Sequence, residues 1–153
     1  MSCGNDNNSC CKSVACFYND VAQTFAADAT TPLIISGNRV VLNGKGIDVF
    51  NNGYTILKSG IYRISGDVVV TGSAAGLLTF QVYLDGLLLP CTVRKKSITS
   101  GGTTTIHTET IIDFNKVCPC TNNVNHRIVF ALVTDAAAAG TVDNLCTGVT
   151  KLD

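Results

Sequence analysis

The sequence predicts an all-β domain, an antiparallel sandwich or jelly roll, and three observations lead to that class. Leu77 to Leu84 alternates between apolar and other side chains with a period of two, as a strand with one buried face does. Short runs rich in β-branched residues recur along the chain, separated by turns of Gly, Asn, Asp or Ser. No stretch beyond about eight residues has a convincing helical period.

The strands follow from this pattern in chain order. A first strand covers residues 16–25, with an interruption at Asn19-Asp20, and short strands follow at 32–35, 39–42, 47–50 and 54–57. Strands 61–71 and 77–84 form the central meander around a small-residue turn at 72–76. Asp85-Gly86 then predicts a tight hairpin, and 87–96 is its return strand, with Pro90 at an edge or a bulge. Strands at 103–114, 127–134 and 141–152 complete the domain.

The chain divides into an arm and one domain. Residues 1–13 (MSCGNDNNSCCKS) contain almost no apolar side chain, so they predict a flexible Cys-rich arm that adds nothing to a core. Residues 14–153 form the jelly-roll domain, and a chain of 153 residues is long enough for a substantial core.

Composition argues against electrostatic partners. The chain has 11 basic and 11 acidic residues and a formal net charge of zero, whereas nucleic acids and anionic membranes are bound by clustered Lys and Arg. The basic run Arg94-Lys95-Lys96 is interpreted as a solvated strand end. No apolar run approaches the ~20 residues of a transmembrane helix. Low charge together with 46% apolar residues predicts that some apolar surface is buried between subunits. The predicted strand Arg127–Thr134 is apolar on both faces, so its outer face is also expected to be covered by a neighbouring subunit.

The eight cysteines predict covalent assembly. Six of them are assigned to the polar arm or to a polar loop: Cys3, Cys10, Cys11, Cys16, Cys118 and Cys120. We expect these six to form disulfides that stabilise an assembly, the alternatives being a zinc site or free thiols. Cys91 and Cys146 are expected to be buried apolar residues. The N-terminus has no signal-peptide pattern, which together with disulfides predicts synthesis in a cytosol and exposure on lysis, as for virions and spores.

No constellation of an enzyme is recognisable. His107 and Glu109 point to the same side of a strand and are the best seed of a metal site, but two ligands are too few, so a solvated face is expected and no metal or cofactor. His126 is the other histidine. Gly44-Lys45-Gly46 is too short for a phosphate loop, and no nucleophile turn is present. The sequence therefore predicts a non-enzymatic protein.

The central meander resembles a known superfamily. Gly60-Ile61-Tyr62, an apolar strand and Leu77–Leu84 ending in Asp85-Gly86 are similar to the complement-head and tumour-necrosis-factor-like jelly rolls, above all to their bacterial and phage branch. Thr103–Phe114, Cys118-Pro119-Cys120 and Thr141–Leu152 fit the later part of that pattern. The absence of a collagen-like tract and the presence of the N-terminal Cys arm are departures from it.

The resemblance implies a tight homotrimer with strands 103–114 and 127–134 at the threefold axis. The interface residues expected from it are Ile106, Ile112, Phe114, Ile128, Phe130 and Leu132. It also implies a structural protein that decorates a large surface through its arm, with a phage capsid or head fibre first and a spore coat or appendage second. The partners would be further copies of the chain and a major capsid or coat protein. An adhesin-like head that binds a host glycan or receptor is the other hypothesis, with Tyr54, Tyr62 and Tyr83 as possible stacking residues.

Overall fold

A computed structural model describes residues 14–19, 21–27, 32–35, 37, 39–50, 52–114 and 123–152. Within these ranges the chain forms β-strands and one 3-10 turn, Pro90–Thr92. The strands are β1 Val14–Asn19, β2 Gln23–Phe25, β3 Leu33–Ile34, β4 Arg39–Asn43, β5 Ile47–Phe50, β6 Gly53–Lys58, β7 Gly60–Ala74, β8 Gly76–Leu84, β9 Leu87–Leu88, β10 Arg94–Ile98, β11 Thr103–Phe114, β12 Asn123–Thr134 and β13 Ala139–Lys151. No helix among the described residues has the length and apolarity needed to cross a membrane.

The strands form two antiparallel sheets that pack face to face, which confirms the predicted sandwich class. Sheet A has the order β11-β7-β13-β1-β4, with β2 paired to β13. Sheet B has the order β10-β8-β12-β6-β5, with β3 paired to β12 and β9 to β8. Neighbours in each sheet come from distant parts of the chain, because β1 pairs with β13 and β8 with β12. This exchange of strands between the two layers is the jelly-roll arrangement.

Alternation of side chains places an aromatic core between the sheets. Phe17 of β1 lies 5.0 Å from Tyr54 of β6, measured between ring centroids, and Phe80 stacks on Phe130 at 5.9 Å. Gly66 of β7 allows this packing, since a Cβ at that position would meet the Phe130 ring at 2.7 Å. The Phe130 ring therefore packs against the backbone of β7 at a position that leaves no room for a side chain.

One buried polar circuit connects the two sheets. The Phe17 amide donates to the Tyr54 hydroxyl at 2.8 Å, and the Thr147 hydroxyl donates to the Phe17 carbonyl at 2.8 Å. The contact of 2.6 Å between the Tyr54 and Thr147 oxygens closes the circuit. Because Thr147 has already donated its proton, Tyr54 is the donor in that bond. Burial raises the pKa of Tyr54 well above its usual value, although hydrogen bonds with Thr147 and Phe17 act in the opposite direction, so the hydroxyl keeps its proton.

The predicted hairpin at Asp85-Gly86 is confirmed. Asp85 has φ 53° and Gly86 φ 81°, the left-handed pair that a two-residue turn of this type requires. The Asp85 carboxylate accepts hydrogen bonds from the Arg127 amide at 2.8 Å and from His126 Nδ1 at 2.7 Å. Burial alone would raise the pKa of Asp85, but the bonds from His126 and Arg127 lower it below its usual value. These two hydrogen bonds hold the turn against β12.

Two local predictions were wrong. The expected turn at 72–76 belongs almost entirely to strands, because Gly72 exchanges backbone hydrogen bonds with Gly101 and Gly102, which extends the β7–β11 ladder. The expected return strand 87–96 is divided into β9 and β10 by the 3-10 turn. Pro90 begins this turn, at a position where no strand pairing requires the N–H group that proline lacks.

Candidate functional site

The predicted interface residues fill the core of the chain instead of its surface. β11 lies at an edge of sheet A and β12 at the centre of sheet B, so the two strands are not in one sheet. Five of the six side chains are at most 3% exposed, and the sixth, Ile112, is half-buried against the same core. The six are Ile106, Ile112 and Phe114 on β11 and Ile128, Phe130 and Leu132 on β12. Since these side chains already pack between the sheets of one chain, we expect an interface to use other residues.

The two-sided apolar character of β12 is explained largely within one chain. On the side away from the core, Ala131 is completely buried, and Val129 and Val133 are half-buried. Gln81 and Tyr83 of β8 lie opposite Ala131 and Val129 and are hydrogen-bonded to each other at 2.8 Å. Cover by a neighbouring subunit, which we inferred from this strand, is not needed here.

Exposed apolar surface is concentrated on sheet A. Among the described residues, six of the twelve exposed large hydrophobic side chains belong to its strands, and Leu152 directly follows β13. Five of these seven point away from the core near the end of the sheet where β13 finishes. We call them the apolar band: Val14, Val41, Ile61, Ile111 and Leu152. The band was missed in the sequence, although Ile111 stands out there as an apolar residue between Glu109 and Asp113 on the polar side of its strand.

The edge strand β4 adds apolar surface on both of its faces. Val40, Val41 and Leu42 are 54%, 53% and 46% exposed. Val41 faces outward beside Cys16, whereas Val40 and Leu42 are paired with the buried Phe17 and Ala15 and face the rim of the core. An edge strand of this kind is usually covered in the functional state, since open apolar edges promote uncontrolled pairing.

Charged side chains occupy the outward face of β7 and β11 beside the apolar band. His107 Nδ1 lies 2.7 Å from an Asp67 oxygen, and His107 Nε2 lies 3.6 Å from a Glu109 oxygen. Arg63 Nε lies 3.6 Å from the other Glu109 oxygen. His107 and Glu109 share one side of the strand, as expected. Among the described residues, no group of three His, Cys, Asp or Glu side chains has the geometry to hold a metal ion.

Three cysteines lie in the described residues, all with free thiols. Cys16 is half-buried in β1 and belongs to the sandwich, not to the arm. Cys146 of β13 and Cys91 of the 3-10 turn are exposed, which corrects the expectation that both are buried. The pKa of Cys146 is raised, mainly by partial burial of its thiol. The neighbouring Cys16 thiol and Asp67 carboxylate raise it further. The other predicted cross-linking residues, Cys3, Cys10, Cys11, Cys118 and Cys120, lie outside the described residues.

The structure also restricts the predicted binding residues. Tyr54 and Tyr62 are completely buried, so neither ring is a platform for a sugar. Tyr83 is half-buried and bonded to Gln81. The basic run Arg94-Lys95-Lys96 lies exposed on β10, an edge strand of sheet B, where charges discourage pairing with another sheet.

Solved structures with the same architecture include both eukaryotic and phage proteins. Murine APRIL at pH 5.0 matches with a TM-score of 0.62 and 14% identity over 92% of this chain and 99% of that chain. Murine APRIL at pH 8.0 matches with a TM-score of 0.55 and 13% identity over 92% of this chain and 99% of that one. The vertex protein P5 of PRD1 matches with a TM-score of 0.56 and 20% identity over 93% of this chain and 97% of that chain.

No protein-family model and no curated protein sequence matches the chain. At these identities the structural matches establish the architecture alone. Together with the strand order of sheets A and B, they show that the chain has the tumour-necrosis-factor-like jelly-roll fold.

Proposed function

We propose that this chain is a non-enzymatic structural protein that forms a homotrimer through the outward face of sheet A and decorates a large assembly, a phage capsid in the first place. The apolar band carries this proposal. It lies on a sheet whose other face is already filled by the core, and no described residue of the chain covers it, which makes it a surface suited to another chain.

Identical copies suit this face because it carries both basic and acidic side chains. Arg63 lies beside Glu109, and His107, a cation only when protonated, contacts Asp67. The whole chain has a formal net charge of zero with His neutral, so two copies meet without strong net repulsion, and threefold closure satisfies every copy. The apolar edge β4 is continuous with the band through Val41 and extends the proposed contact.

One fold neighbour supports the assignment to an assembly. PRD1 P5 is described as a vertex protein of a phage, and it shares this fold over nearly its whole length. The arm, residues 1–13, is proposed to attach the trimer to a capsid or coat protein, which gives a location on a virion surface. The alternative is that the chain is a subunit of a spore coat and not of a phage particle. Deleting residues 1–13 should leave a folded trimer that no longer attaches to its particle, and retained attachment would refute the role of the arm.

The mass of the purified chain in solution tests the trimer. Light scattering should give three times the 16.1 kDa chain mass for the wild type and for Leu87→Arg, a control at a residue that is 73% exposed on sheet B. Ile111→Arg, which places a charge in the apolar band at a residue 55% exposed, should give a monomer with unchanged far-UV circular dichroism. A trimeric Ile111→Arg protein would remove this face from the interface.

Thiol labelling locates the contact without mutation. Cys146 is exposed on the outward face of sheet A, whereas the exposed Cys91 lies in the 3-10 turn and contacts Thr110, which points to the inner side of β11. In the trimer, N-ethylmaleimide should modify Cys91 quickly and Cys146 slowly, and the Ile111→Arg monomer should restore labelling of Cys146. Equal protection of Cys146 in monomer and trimer would contradict the proposed face, since its raised pKa alone would then explain the slow reaction.

A further inference from the structure

The ring of His107 lies between two carboxylates on the outward face of sheet A. Its Nδ1 lies 2.7 Å from an Asp67 oxygen, and its Nε2 lies 3.6 Å from a Glu109 oxygen. A neutral imidazole has one N–H group, so a ring that donates to Asp67 turns the lone pair of Nε2 toward Glu109. The protonated ring has an N–H group on both nitrogens and attracts both carboxylates. Only the protonated ring therefore satisfies both contacts.

The net charge of this group of side chains depends on whether the ring carries its second proton. Arg63 Nε lies 3.6 Å from the other oxygen of Glu109, so this carboxylate is shared between Arg63 and His107. With a neutral ring, the positive charge of Arg63 faces the two carboxylates, and each chain has one negative charge in excess at this place. With a protonated ring, the positive and negative charges of the four side chains balance.

The remaining ionisable neighbours of the ring come from three strands. Cys146 of β13 is paired with Asp67, and its raised pKa keeps the thiol neutral near pH 7. Lys96 of β10 donates to the Thr105 carbonyl at 2.9 Å, at the backbone of the edge strand. Asp113 lies farther along the same side of β11 and adds another acidic group. Histidine is the side chain that ordinarily changes charge between about pH 5 and pH 8.

The distance from the apolar band places the ring inside the proposed contact between copies. His107 and Ile111 are four residues apart on β11, which is about 13 Å along a strand. A stable interface buries about 800 Å² on each partner, a patch of about 16 Å in radius. Arg63 is paired directly with Ile111. The side chains of His107 and Glu109 are about half exposed in the single chain, so a neighbouring copy removes them from water, where an imbalance of charge is more costly.

We propose that protonation of His107 strengthens the association of the sheet A faces, so that the assembled protein is more stable in mildly acidic than in mildly basic solution. This inference rests on the proposed trimer. With neutral rings, each of the three copies brings an excess negative charge to the contact, and the copies repel one another. The trimer therefore takes up protons as it forms. Because it binds more protons than the free chains do, its stability rises as the pH falls.

Sedimentation velocity of the full-length protein over a dilution series tests the proposal at about pH 6 and about pH 8, in one mixed buffer with a reductant. The salt concentration is kept low, because salt screens partly exposed charges. Each proton taken up changes an association constant by up to about tenfold per pH unit, so the wild-type constant should be at least about tenfold larger at the lower pH. For a trimer that does not dissociate on dilution, the rate of subunit exchange between labelled and unlabelled trimers is compared instead, and it should be slower at the lower pH.

Three variants assign the effect to the ring. His107→Gln keeps an amide donor for Asp67 but takes up no proton, so its association should be equally weak at both pH values. Glu109→Gln removes one negative charge, so its charges balance with a neutral ring, and the pH dependence should reverse. His126→Gln changes the histidine of β12 that contacts Asp85, away from this face, and should keep the wild-type dependence.

Each outcome decides the proposal. Weaker wild-type association at the higher pH, lost in His107→Gln and reversed in Glu109→Gln, supports it. A trimer of equal stability at both pH values overturns it and leaves the proposed trimer intact. A dependence that persists in His107→Gln overturns it in favour of another titrating group. A monomer at both pH values refutes the trimer and this inference together.

Discussion

Replacing Tyr54 by phenylalanine removes one oxygen atom from the circuit that connects the sheets. The Phe17 amide then loses its acceptor inside the core, and Thr147 loses one of its two hydrogen bonds. A buried donor left without a partner costs about 1–3 kcal/mol, so we expect a loss of about 2 kcal/mol in the free energy of unfolding. For a domain of this size that corresponds to a fall in Tm of about 4–8 °C.

Thermal and urea unfolding at one fixed chain concentration measure this loss, since the apparent stability of an oligomer depends on concentration. The matched control is Tyr18→Phe, which removes the same atom from a half-buried tyrosine of β1 and should cost less than about 0.5 kcal/mol. Thr147→Val breaks the circuit at another member, and the double variant should lose less than the sum of the two single losses. A Tm of Tyr54→Phe equal to that of the control, or strict additivity in the double variant, would refute the cooperative circuit.

Three further predictions concern packing and charge. Gly66→Ala should destabilise the chain by about 1–3 kcal/mol, because the added Cβ meets the Phe130 ring at 2.7 Å. The control is Gly148→Ala, which meets no atom nearer than 3.9 Å and should change the free energy of unfolding by less than about 0.5 kcal/mol. Equal denaturation midpoints for the two variants would contradict the tight packing at Gly66. The lowered pKa of Asp85 means that its ionised form stabilises the fold above about pH 4 and that this contribution disappears as pH falls through the folded-state pKa. Asp85→Asn should therefore show a shallower loss of Tm between about pH 5 and pH 2 than the wild type, and parallel pH profiles would show that the carboxylate contributes nothing. Asp135→Ala should lower Tm because it removes both oxygens that accept from the Leu77, Ala137 and Ala138 amides, and an unchanged Tm would mean that these three bonds add no stability.

Local patterns predicted the layers of the fold better than its interfaces. Strict alternation in β8 and the Asp85-Gly86 signal depend on neighbouring residues, so they are readable from the sequence alone. The role of Gly72 was misread because its ladder bonds come from Gly101 and Gly102, and nothing local announces that pairing.

The predicted interface residues lie in the core for a related reason. Ile106 and Phe130 are apolar, but the sequence does not say whether an apolar face packs on the opposite sheet or on another chain. Ile111, an apolar residue out of phase with its strand, was the local sign of the exposed apolar band.

The position of β13 has a consequence for folding during synthesis. This strand lies between β7 and β1, so sheet A is incomplete until residues 139–151 have been made. A ribosome that has made everything up to residue 138 has produced β1 and β4 without the strand that joins them to β7. The pairing of β1 with β13 joins residues far apart in the sequence, so this layer is expected to close late in folding. A chain that stops before residue 139 cannot close sheet A.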